Sequence, residues 1–347
     1  MPELQEVFDM VTQKVDQDHG ALERQVEKQR RAARNHRLIA FATVAVLIAV
    51  TGAVFAFARS DTQGVPANPA PPSNPPVAGL TGSMVDILTG EITPLPASIA
   101  TAGTYYAVSP HHTTVAFNKC CLQPGPVSVA NVDGTQIRPL TPKGWDAYGA
   151  QWSPDGSALV YQQRHAASYK LGNLFVQDMA TGRRTRLTNF DQTQRWDWWF
   201  TFPSFAADGR SVLFQLPRGN PDSPIWDLWS VPVAGGQQTL VRRDAGWGGY
   251  APDGTSLAYL SPMDPNTFAG GALWVGTGDR GKPRAVVREV GLGWPRWSPD
   301  GTQISYADSG SIYVVNVATG ATTKVAEGGN AEWFDDHTLI VGNLTNG

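Results

Sequence analysis

From residue 80 to residue 347 the chain consists of short segments in which hydrophobic and polar residues alternate, separated by clusters of turn residues. Residues 151–161 are the clearest example: Trp152 precedes a Ser-Pro-Asp-Gly sequence, and Leu159 and Tyr161 follow it with one residue between them. Proline presets φ for a turn, aspartate hydrogen-bonds to nearby backbone, and glycine adopts positive φ. Alternation on both sides of such a turn predicts a β-hairpin.

The same hairpin pattern recurs along the chain. Clear or looser copies occupy residues 205–214, 250–259 and 296–306, and degenerate copies occupy residues 106–117 and 332–341. The turns of the four clearer copies lie 45 to 53 residues apart. Periods of about 40 to 50 residues built from strand-turn-strand units are typical of a β-propeller with four strands per blade. The pattern therefore predicts six inner hairpins.

Each of the first five inner hairpins is followed by a predicted outer hairpin. Residues 173–187 and 311–325 show it best, with an alternating strand, an x-Thr-Gly turn and a second strand. The sixth inner hairpin has no such successor, but residues 82–95 have the same form. We therefore predict an all-β, six-bladed β-propeller over residues 80–347, in which N- and C-terminal strands share one blade. Sharing closes the ring and removes free sheet edges.

The repeated aromatic-small-Pro-Asp-Gly hairpins resemble the PD-type repeats of TolB-like six-bladed β-propellers, which are related to the WD-repeat class. The resemblance covers residues 80–347. It implies a bacterial propeller fold, but propellers of this kind have many functions.

Residues 38–58 form a stretch of 21 residues without a charge. This length suffices to cross a hydrocarbon core of about 30 Å as a helix. Ala56-Phe57-Ala58 resembles a signal-peptide cleavage site, yet a leader of residues 1–37 is too long for such a peptide, so we favour a membrane anchor. Basic residues between 24 and 37 place the N-terminus in the cytoplasm. The predicted location is thus the cell membrane, with a single pass and an extracytoplasmic propeller.

The tail of residues 1–37 carries an apolar stripe at three- and four-residue spacing, which predicts an amphipathic helix. This helix could contact a cytoplasmic partner or pack beside the membrane. Residues 59–79 contain six prolines and are predicted to be an extended linker. The net charge of −3 and the pI near 6.1 give no indication of nucleic-acid binding.

Catalytic and metal-binding motifs find little support in the sequence. It contains neither a Gly-x-Ser-x-Gly elbow nor a His-Glu-x-x-His motif. His111-His112 stand where other turns have Asp-Gly, and we read them as turn residues rather than metal ligands. Turn capping likewise explains the repeated aspartates better than calcium binding does. We therefore predict no enzyme activity, no metal site and no cofactor.

Cys120 and Cys121 are the two cysteines of the chain, and they are adjacent. Outside the cytoplasm they could form a vicinal disulfide, pair between molecules or stay reduced. The sequence leaves these alternatives open.

The predicted ligand site lies on the propeller face opposite the Pro-Asp-Gly turns, where the loops are longest and most varied. The candidates there are Arg195, Trp196, Asp197, Trp198 and Trp199. Adjacent Trp198 and Trp199 cannot both lie on the same face of a strand. Trp145, Trp247 and Trp294 precede other inner hairpins, and each could be an exposed contact residue or a buried core residue.

The predicted function is that of a membrane-anchored extracytoplasmic binding or scaffolding propeller, whose ligand is a protein, a peptide or a glycan. The alternative is a transmembrane regulator, similar in layout to bacterial anti-sigma proteins, that signals through residues 1–37. A hydrolase ranks third, because the hydrolases that carry such propellers add an α/β-hydrolase domain for which this chain has no room.

Overall fold

Each blade of this protein is a four-stranded antiparallel β-sheet, and six such sheets form a β-propeller. This finding confirms the all-β fold class and the six blades predicted from the repeats. The structure is a computed structural model, and it describes residues 82–100, 105–118, 125–165, 172–190, 201–220, 223–263, 270–277, 282–291 and 293–342.

The described part begins with two outer strands and a one-turn helix: β1 (Ser83–Asp86), β2 (Ile92–Pro94) and α1 (Ala97–Ala100). Blade 1 contains β3 (Tyr105–Val108), β4 (Thr114–Asn118), β5 (Ser128–Asn131) and β6 (Arg138–Pro139). Blade 2 contains β7 (Trp145–Trp152), β8 (Ala158–His165), β9 (Asn173–Asp178) and β10 (Arg184–Arg186). Blade 3 contains β11 (Ser204–Phe205), β12 (Ser211–Asn220), β13 (Ser223–Pro232) and β14 (Thr239–Arg242).

Blade 4 contains β15 (Gly246–Tyr250), β16 (Ser256–Met263), β17 (Gly270–Thr277) and β18 (Arg284–Val287). Blade 5 contains β19 (Gly293–Trp297), β20 (Gln303–Asp308), β21 (Ser311–Asn316) and β22 (Thr322–Glu327). Blade 6 is assembled from both ends of the domain, because β23 (Asn330–Trp333) and β24 (Thr338–Gly342) join β1 and β2 in one sheet.

The two faces of the ring differ in the connections they carry. The turn face carries the tight turns between the first and second strands of each blade, such as Ser153–Ser157 in blade 2. The loop face lies at the opposite strand ends, where Trp145 begins β7 and pairs with His165 at the end of β8. Ser83 pairs with Val341 at the end of β24, so the chain enters the propeller at the loop face.

The shared blade predicted from the sequence is confirmed. β1 pairs antiparallel with β24 over four residues, from Ser83 opposite Val341 to Asp86 opposite Thr338. The innermost strand of this blade, β23, lies beside β3 of blade 1, so the six inner strands form a closed ring. Pairing the two ends of the domain in this way covers the strand edges that each end would otherwise expose.

The second strand of a blade is buried on both of its faces. In β8, three consecutive residues, Leu159, Val160 and Tyr161, are fully buried. A strand with one solvated face would alternate between buried and exposed residues. Here the neighbouring blades cover both faces, so hydrophobic residues follow one another in the strand without a polar residue between them.

In blades 2, 5 and 6, a tryptophan of the repeated motif connects the blade to the preceding one. The indole N–H of Trp152 donates to the carbonyl oxygen of Ala107 at 2.9 Å, and that of Trp297 donates to Gly249 at 3.0 Å. Trp333 makes the same contact with blade 5. The indole ring fills space between blades while its polar edge is satisfied. The repeat therefore specifies the packing between blades as well as the turn.

The predicted cytoplasmic tail (1–37), membrane helix (38–58) and linker (59–79) lie outside the described residues. Within the described ranges, no helix has the length and apolar character needed to cross a membrane. The membrane anchor and the orientation of the chain remain predictions from the sequence.

Candidate functional site

The six inner strands enclose a central channel and contribute one residue each at the same level, and we call these six residues the channel ring. Each stands directly before the residue that occupies the aromatic position of the motif: Ala107, Gln151, Ser204, Gly249, Arg296 and Glu332. Three of them are small and three carry long polar side chains. The small residues leave space in the channel, and the long side chains extend into it.

The three long side chains meet in the channel. The Nε of Arg296 lies 3.0 Å from the Oε2 of Glu332, and the amide Nε2 of Gln151 donates to the same oxygen at 3.3 Å. Arg296 and Glu332 belong to neighbouring blades 5 and 6, whereas Gln151 belongs to blade 2. Blade 1 stands between blades 6 and 2, and its corresponding residue is Ala107, which is small enough to let the contact form.

This polar cluster is largely shielded from water. The side chains of Arg296 and Glu332 expose only 18% and 17% of their solvent-accessible surface. Burial raises the pKa of the Glu332 carboxyl above its usual range, while the Arg296 guanidinium and the Gln151 amide act in the opposite direction. The channel therefore contains a paired but poorly solvated carboxylate.

An aromatic layer lies on the loop-face side of the polar cluster. We give this name to Tyr105, Phe202, Trp247 and Trp294, all of which are at least nine-tenths buried. The rings of Trp247 and Trp294 meet edge to face with centroids 4.9 Å apart, and Tyr105 meets Trp294 in the same way at 5.6 Å. The ring centroids of Phe202 and Trp247 are 4.2 Å apart. Each stands two residues before a member of the channel ring, and two residues of extended chain span about 6–7 Å.

An unusual backbone conformation holds part of this layer in place. Phe202, Trp247 and Trp294 have φ values of 39°, 53° and 54°, in the left-handed region that large side chains avoid. The corresponding residue of blade 2 is Gly149, at 61°. The strand register also shifts at this position in blades 2, 4 and 5. Trp247 and Trp294 therefore stand at a bulge that recurs in blades 2, 4 and 5, and such bulges redirect the side chains of a strand.

A cavity of about 180 Å³ lies on the other side of the polar cluster and extends to the turn face. Its inner wall includes Gln151, Ser204, Gly249 and Arg296. Its outer wall is formed by residues of the turns and the motif aromatics, among them Pro110, Ser153, Pro154, Trp152, Phe205, Tyr250 and Trp297. The hydroxyl oxygen of Ser204 is buried here without a hydrogen-bond partner. The cavity therefore combines aromatic walls with a polar floor, the usual makeup of a binding pocket.

The turn aspartates surround this opening. Each accepts a hydrogen bond from a backbone amide two residues later at 2.7 to 3.0 Å, and all are exposed: Asp155, Asp208, Asp253 and Asp300. This geometry confirms that they cap their turns. Hydrogen bonds from the Ser153 hydroxyl and from Ser157 hold the pKa of Asp155 below its usual value. The turn face consequently carries a rim of exposed carboxylates.

The site residues predicted from the sequence are not placed by the structure. Arg195, Trp196, Asp197, Trp198 and Trp199 lie outside the described residues, as do Cys120 and Cys121. The prediction of a ligand site on the loop face therefore stays a prediction. Trp247 and Trp294 are core residues, as the alternative interpretation held.

Trp145 is exposed on the loop face. It keeps 38% of its exposure, and its ring meets that of His165 edge to face at 5.3 Å. Beneath it, Arg164 donates from Nη2 to the hydroxyl of Tyr148 at 2.9 Å and lies 3.9 Å from the carboxylate of Asp146. These contacts fix the side chains at the loop-face end of blade 2.

The double histidine occupies its turn as predicted. The amide of His112 donates to Ser109 at 2.8 Å, and φ at His112 is 56°. Its ring lies 5.1 Å from that of Phe334 in the neighbouring blade. Among the residues that the structure describes, no three His, Cys, Asp or Glu side chains lie close enough together to hold a metal ion.

Comparison with known proteins finds similarity of fold at low sequence identity. No protein-family model matches the chain. The structure of a putative TolB from Agrobacterium tumefaciens has a TM-score of 0.57 at 14% identity, over 75% of this chain and 96% of that one. TolB from Acinetobacter baumannii has a TM-score of 0.50 at 15% identity, over 73% of this chain and 66% of its own.

One curated relative is a peptidase. Dipeptidyl-peptidase 5 of Porphyromonas gingivalis is 24% identical over 147 residues, which are 40% of this chain and 20% of the peptidase. The chain thus spans about a fifth of that protein's length. Together with the blade topology, the two TolB structures show that the fold is a TolB-like six-bladed β-propeller.

Proposed function

We propose that this protein is a membrane-anchored, extracytoplasmic binding or scaffolding propeller. Its ligand is a protein, a peptide or a glycan that enters the central channel from the turn face. The anchor and the orientation are those predicted from residues 24–58. The contact surface is the cavity that the described residues form, in place of the loop face.

The observation that carries the proposal is the composition of the channel ring. A buried ion pair adds little to stability, since well-packed hydrophobic residues in its place are often neutral or stabilising. Arg296, Glu332 and Gln151 nevertheless occupy the channel, while Ser204 and Gly249 line a cavity beside them. Polar groups beside an unfilled, aromatic-walled cavity favour recognition over structural support.

Site-specific photo-crosslinking in cells tests this function. A benzoylphenylalanine at Pro154, on the outer wall of the cavity, is expected to capture a partner. The same residue at Trp145 tests the loop face, where the sequence predicted the site. Thr323, exposed on the outer strand β22, is the matched control.

A crosslinked species from Pro154 but not from Thr323 supports the proposal. Capture from Trp145 alone would move the site to the loop face and favour the sequence prediction. Equal yields from all three positions would indicate nonspecific contact and contradict a specific binding site.

A further inference from the structure

Gly249 leaves open space on the wall of the cavity that extends to the turn face, which we call the turn-face cavity. Its φ lies outside the left-handed region, and a Cβ atom at this position would meet no atom of the described residues within 4 Å. At the neighbouring Gly248, by contrast, a Cβ would lie 2.6 Å from Leu228. A glycine inside a strand weakens it and often marks a place where a ligand approaches closely. The fold does not require a glycine at position 249, but an open cavity does.

A polar atom on the same wall also lacks a partner. The hydroxyl oxygen of Ser204 lines the turn-face cavity, is buried, and has no hydrogen-bond partner among the described residues. Buried polar groups in native proteins nearly always have a partner, so an exception calls for an explanation such as a bound group. Gly249 and Ser204 thus point to the same unfilled space.

The size of the turn-face cavity limits what can enter it. Its volume is about 180 Å³, against about 300–1,000 Å³ for pockets that enclose a whole small-molecule ligand. An apolar cavity of about 150 Å³ accommodates a benzene molecule. The turn-face cavity therefore suits one inserted side chain, and the rest of the ligand must contact the face around it.

The walls of the cavity are suited to a cation. Trp152, Tyr250 and Trp297 line it and are half-buried, in contrast to the buried aromatic layer. The indole N–H groups of Trp152 and Trp297 already donate to the preceding blades, so these rings offer the cavity their apolar surfaces. A cationic side chain over the face of a tryptophan or tyrosine is attracted by the ring, and more strongly where water is excluded.

The charges of the turn face favour the same kind of side chain. The inner turns of the six blades contain one arginine, Arg210, and six aspartates: Asp155, Asp208, Asp253, Asp300, Asp335 and Asp336. The outer turns of this face add Asp86, Asp133 and Asp178, and hydrogen bonds from a threonine two or three residues later hold the pKa of each below its usual value. Arg296 on the cavity floor is compensated by Glu332 at 3.0 Å, so that pair adds no net charge. The approach to the cavity is therefore negative.

We propose that the turn-face cavity receives one lysine or arginine side chain from a basic segment of a partner protein, while the aspartates of the turns contact the basic residues around it. This inference rests on the proposed function and names the chemistry of its ligand. Complementary charge favours a basic partner and disfavours an acidic one, which would have to approach through a ring of carboxylates.

Binding of short peptides to the full-length protein in detergent tests the inference. The probes are fluorescently labelled hexapeptides of arginine, lysine, glutamate or serine, each blocked at both ends. The arginine or the lysine peptide is expected to bind at least about tenfold more tightly than the glutamate and serine peptides. Unlabelled spermidine is titrated as a free polyamine with the same kind of charge.

Gly249→Leu separates insertion into the cavity from attraction to the face. Leucine at this position fills the cavity and changes no charge, so binding of the basic peptides should weaken at least about tenfold without a lower melting temperature. Ser204→Leu fills the cavity from blade 3 and should weaken binding in the same way. Gly125→Leu is the matched control, because a Cβ there also meets nothing within 4 Å, but the residue lies at the loop-face end of blade 1. It should leave binding unchanged.

The double variant Asp253→Asn/Asp300→Asn tests the charge of the turns. Asparagine can still cap a turn, so the fold should be kept while the negative charge falls by two. Binding of the basic peptides should weaken, and its dependence on salt should become smaller.

The possible failures can be told apart. If the two cavity-filling variants fold and bind the basic peptides like wild type, no side chain enters the cavity and the inference is wrong. Tighter binding of the glutamate peptide would show that Arg296 selects the ligand, and it would overturn the cationic side chain. Spermidine that binds as tightly as the peptides would overturn the partner protein. In each case capture from Pro154 would leave the proposed function standing, whereas absence of any capture would contradict the function itself.

Discussion

Removing one partner of the Arg296–Glu332 pair should destabilise the propeller far more than removing both. Arg296→Met leaves a carboxylate in the channel without its counter-charge. Breaking a buried pair from one side costs about 3–5 kcal/mol, against about 0.2–1 kcal/mol for an exposed pair. Since the two side chains retain 18% and 17% of their exposure, we expect a loss of about 3 kcal/mol near neutral pH, the lower end of the buried range.

The loss of unfolding free energy caused by Arg296→Met should depend on pH, because Glu332 can take up a proton. Burial raises its pKa in the folded protein above the usual value of 4.5. The folded state then binds more protons than the unfolded state in the window above that value, so stability falls as the pH rises through the folded pKa. Without Arg296 the folded pKa rises further. The penalty of Arg296→Met should therefore be smaller at about pH 5 than at about pH 8, because protonated Glu332 needs no counter-charge.

Urea unfolding followed by tryptophan fluorescence measures these differences in the full-length protein. Wild type, Arg296→Met, Glu332→Gln and the double variant Arg296→Met/Glu332→Leu are compared at both pH values. The double variant should lie within about 1 kcal/mol of wild type, because it leaves no buried charge. Glu332→Gln should abolish the extra pH dependence, because it removes the titrating group.

Lys324→Met provides the control. It breaks an exposed ion pair with Glu327, whose partners are 2.6 Å apart and keep 48% and 55% of their exposure. The expected loss is below about 1 kcal/mol. If Arg296→Met costs no more than this control, or if its cost is the same at both pH values, the channel is well hydrated. The interpretation of the pair as a buried, poorly solvated element would then be wrong.

Deleting residues 82–95 removes β1 and β2 and exposes the edge of β24, so aggregation or loss of cooperative melting should follow. Deleting residues 66–76 of the linker is the control, and an unchanged melting curve for the first deletion would refute the shared blade. Protease added to intact cells should degrade a C-terminal tag and spare an N-terminal one, because the basic residues precede the predicted membrane helix; a protected C-terminal tag would overturn this topology. Cys120 and Cys121 should not bridge distant parts of the fold: if they pair with each other, the intact mass of the monomer should rise by two hydrogens on reduction. A covalent dimer on a non-reducing gel would instead indicate pairing between chains.

The fold could be predicted from the sequence because its determinants are local. The Pro-Asp-Gly turns, the capping by aspartates such as Asp155 and the alternation around them act within a dozen residues, and they recur in blade after blade. The shared blade followed from counting hairpins at the two ends. The burial of Leu159, Val160 and Tyr161 in succession was harder to predict, because it depends on the blades that pack on either side.

The channel residues escaped prediction because nothing local distinguishes them. Arg296 and Glu332 are 36 residues apart, and Gln151 is 181 residues from Glu332. Each stands at the position before the motif aromatic, where the repeat fixes no residue type. The signal was available: aligning the six hairpins on their turns places one long polar residue from blades 2, 5 and 6 at the same height. The site predicted from the sequence lay in the long loops and did not include these residues.

One repeat can both join the blades and place a polar cluster in the channel, because its positions are constrained unequally. The aromatic position is constrained, since Trp152 and Trp297 each hydrogen-bond to the preceding blade through the indole N–H. The adjacent position points the other way along the pleated strand, and in blades 2, 5 and 6 its side chain lies in the channel. It can vary from Gly249 to Arg296 without disturbing the joints between blades. A closed ring therefore brings its least constrained positions together at the centre, so a specific polar cluster can be assembled there from residues that no local pattern marks.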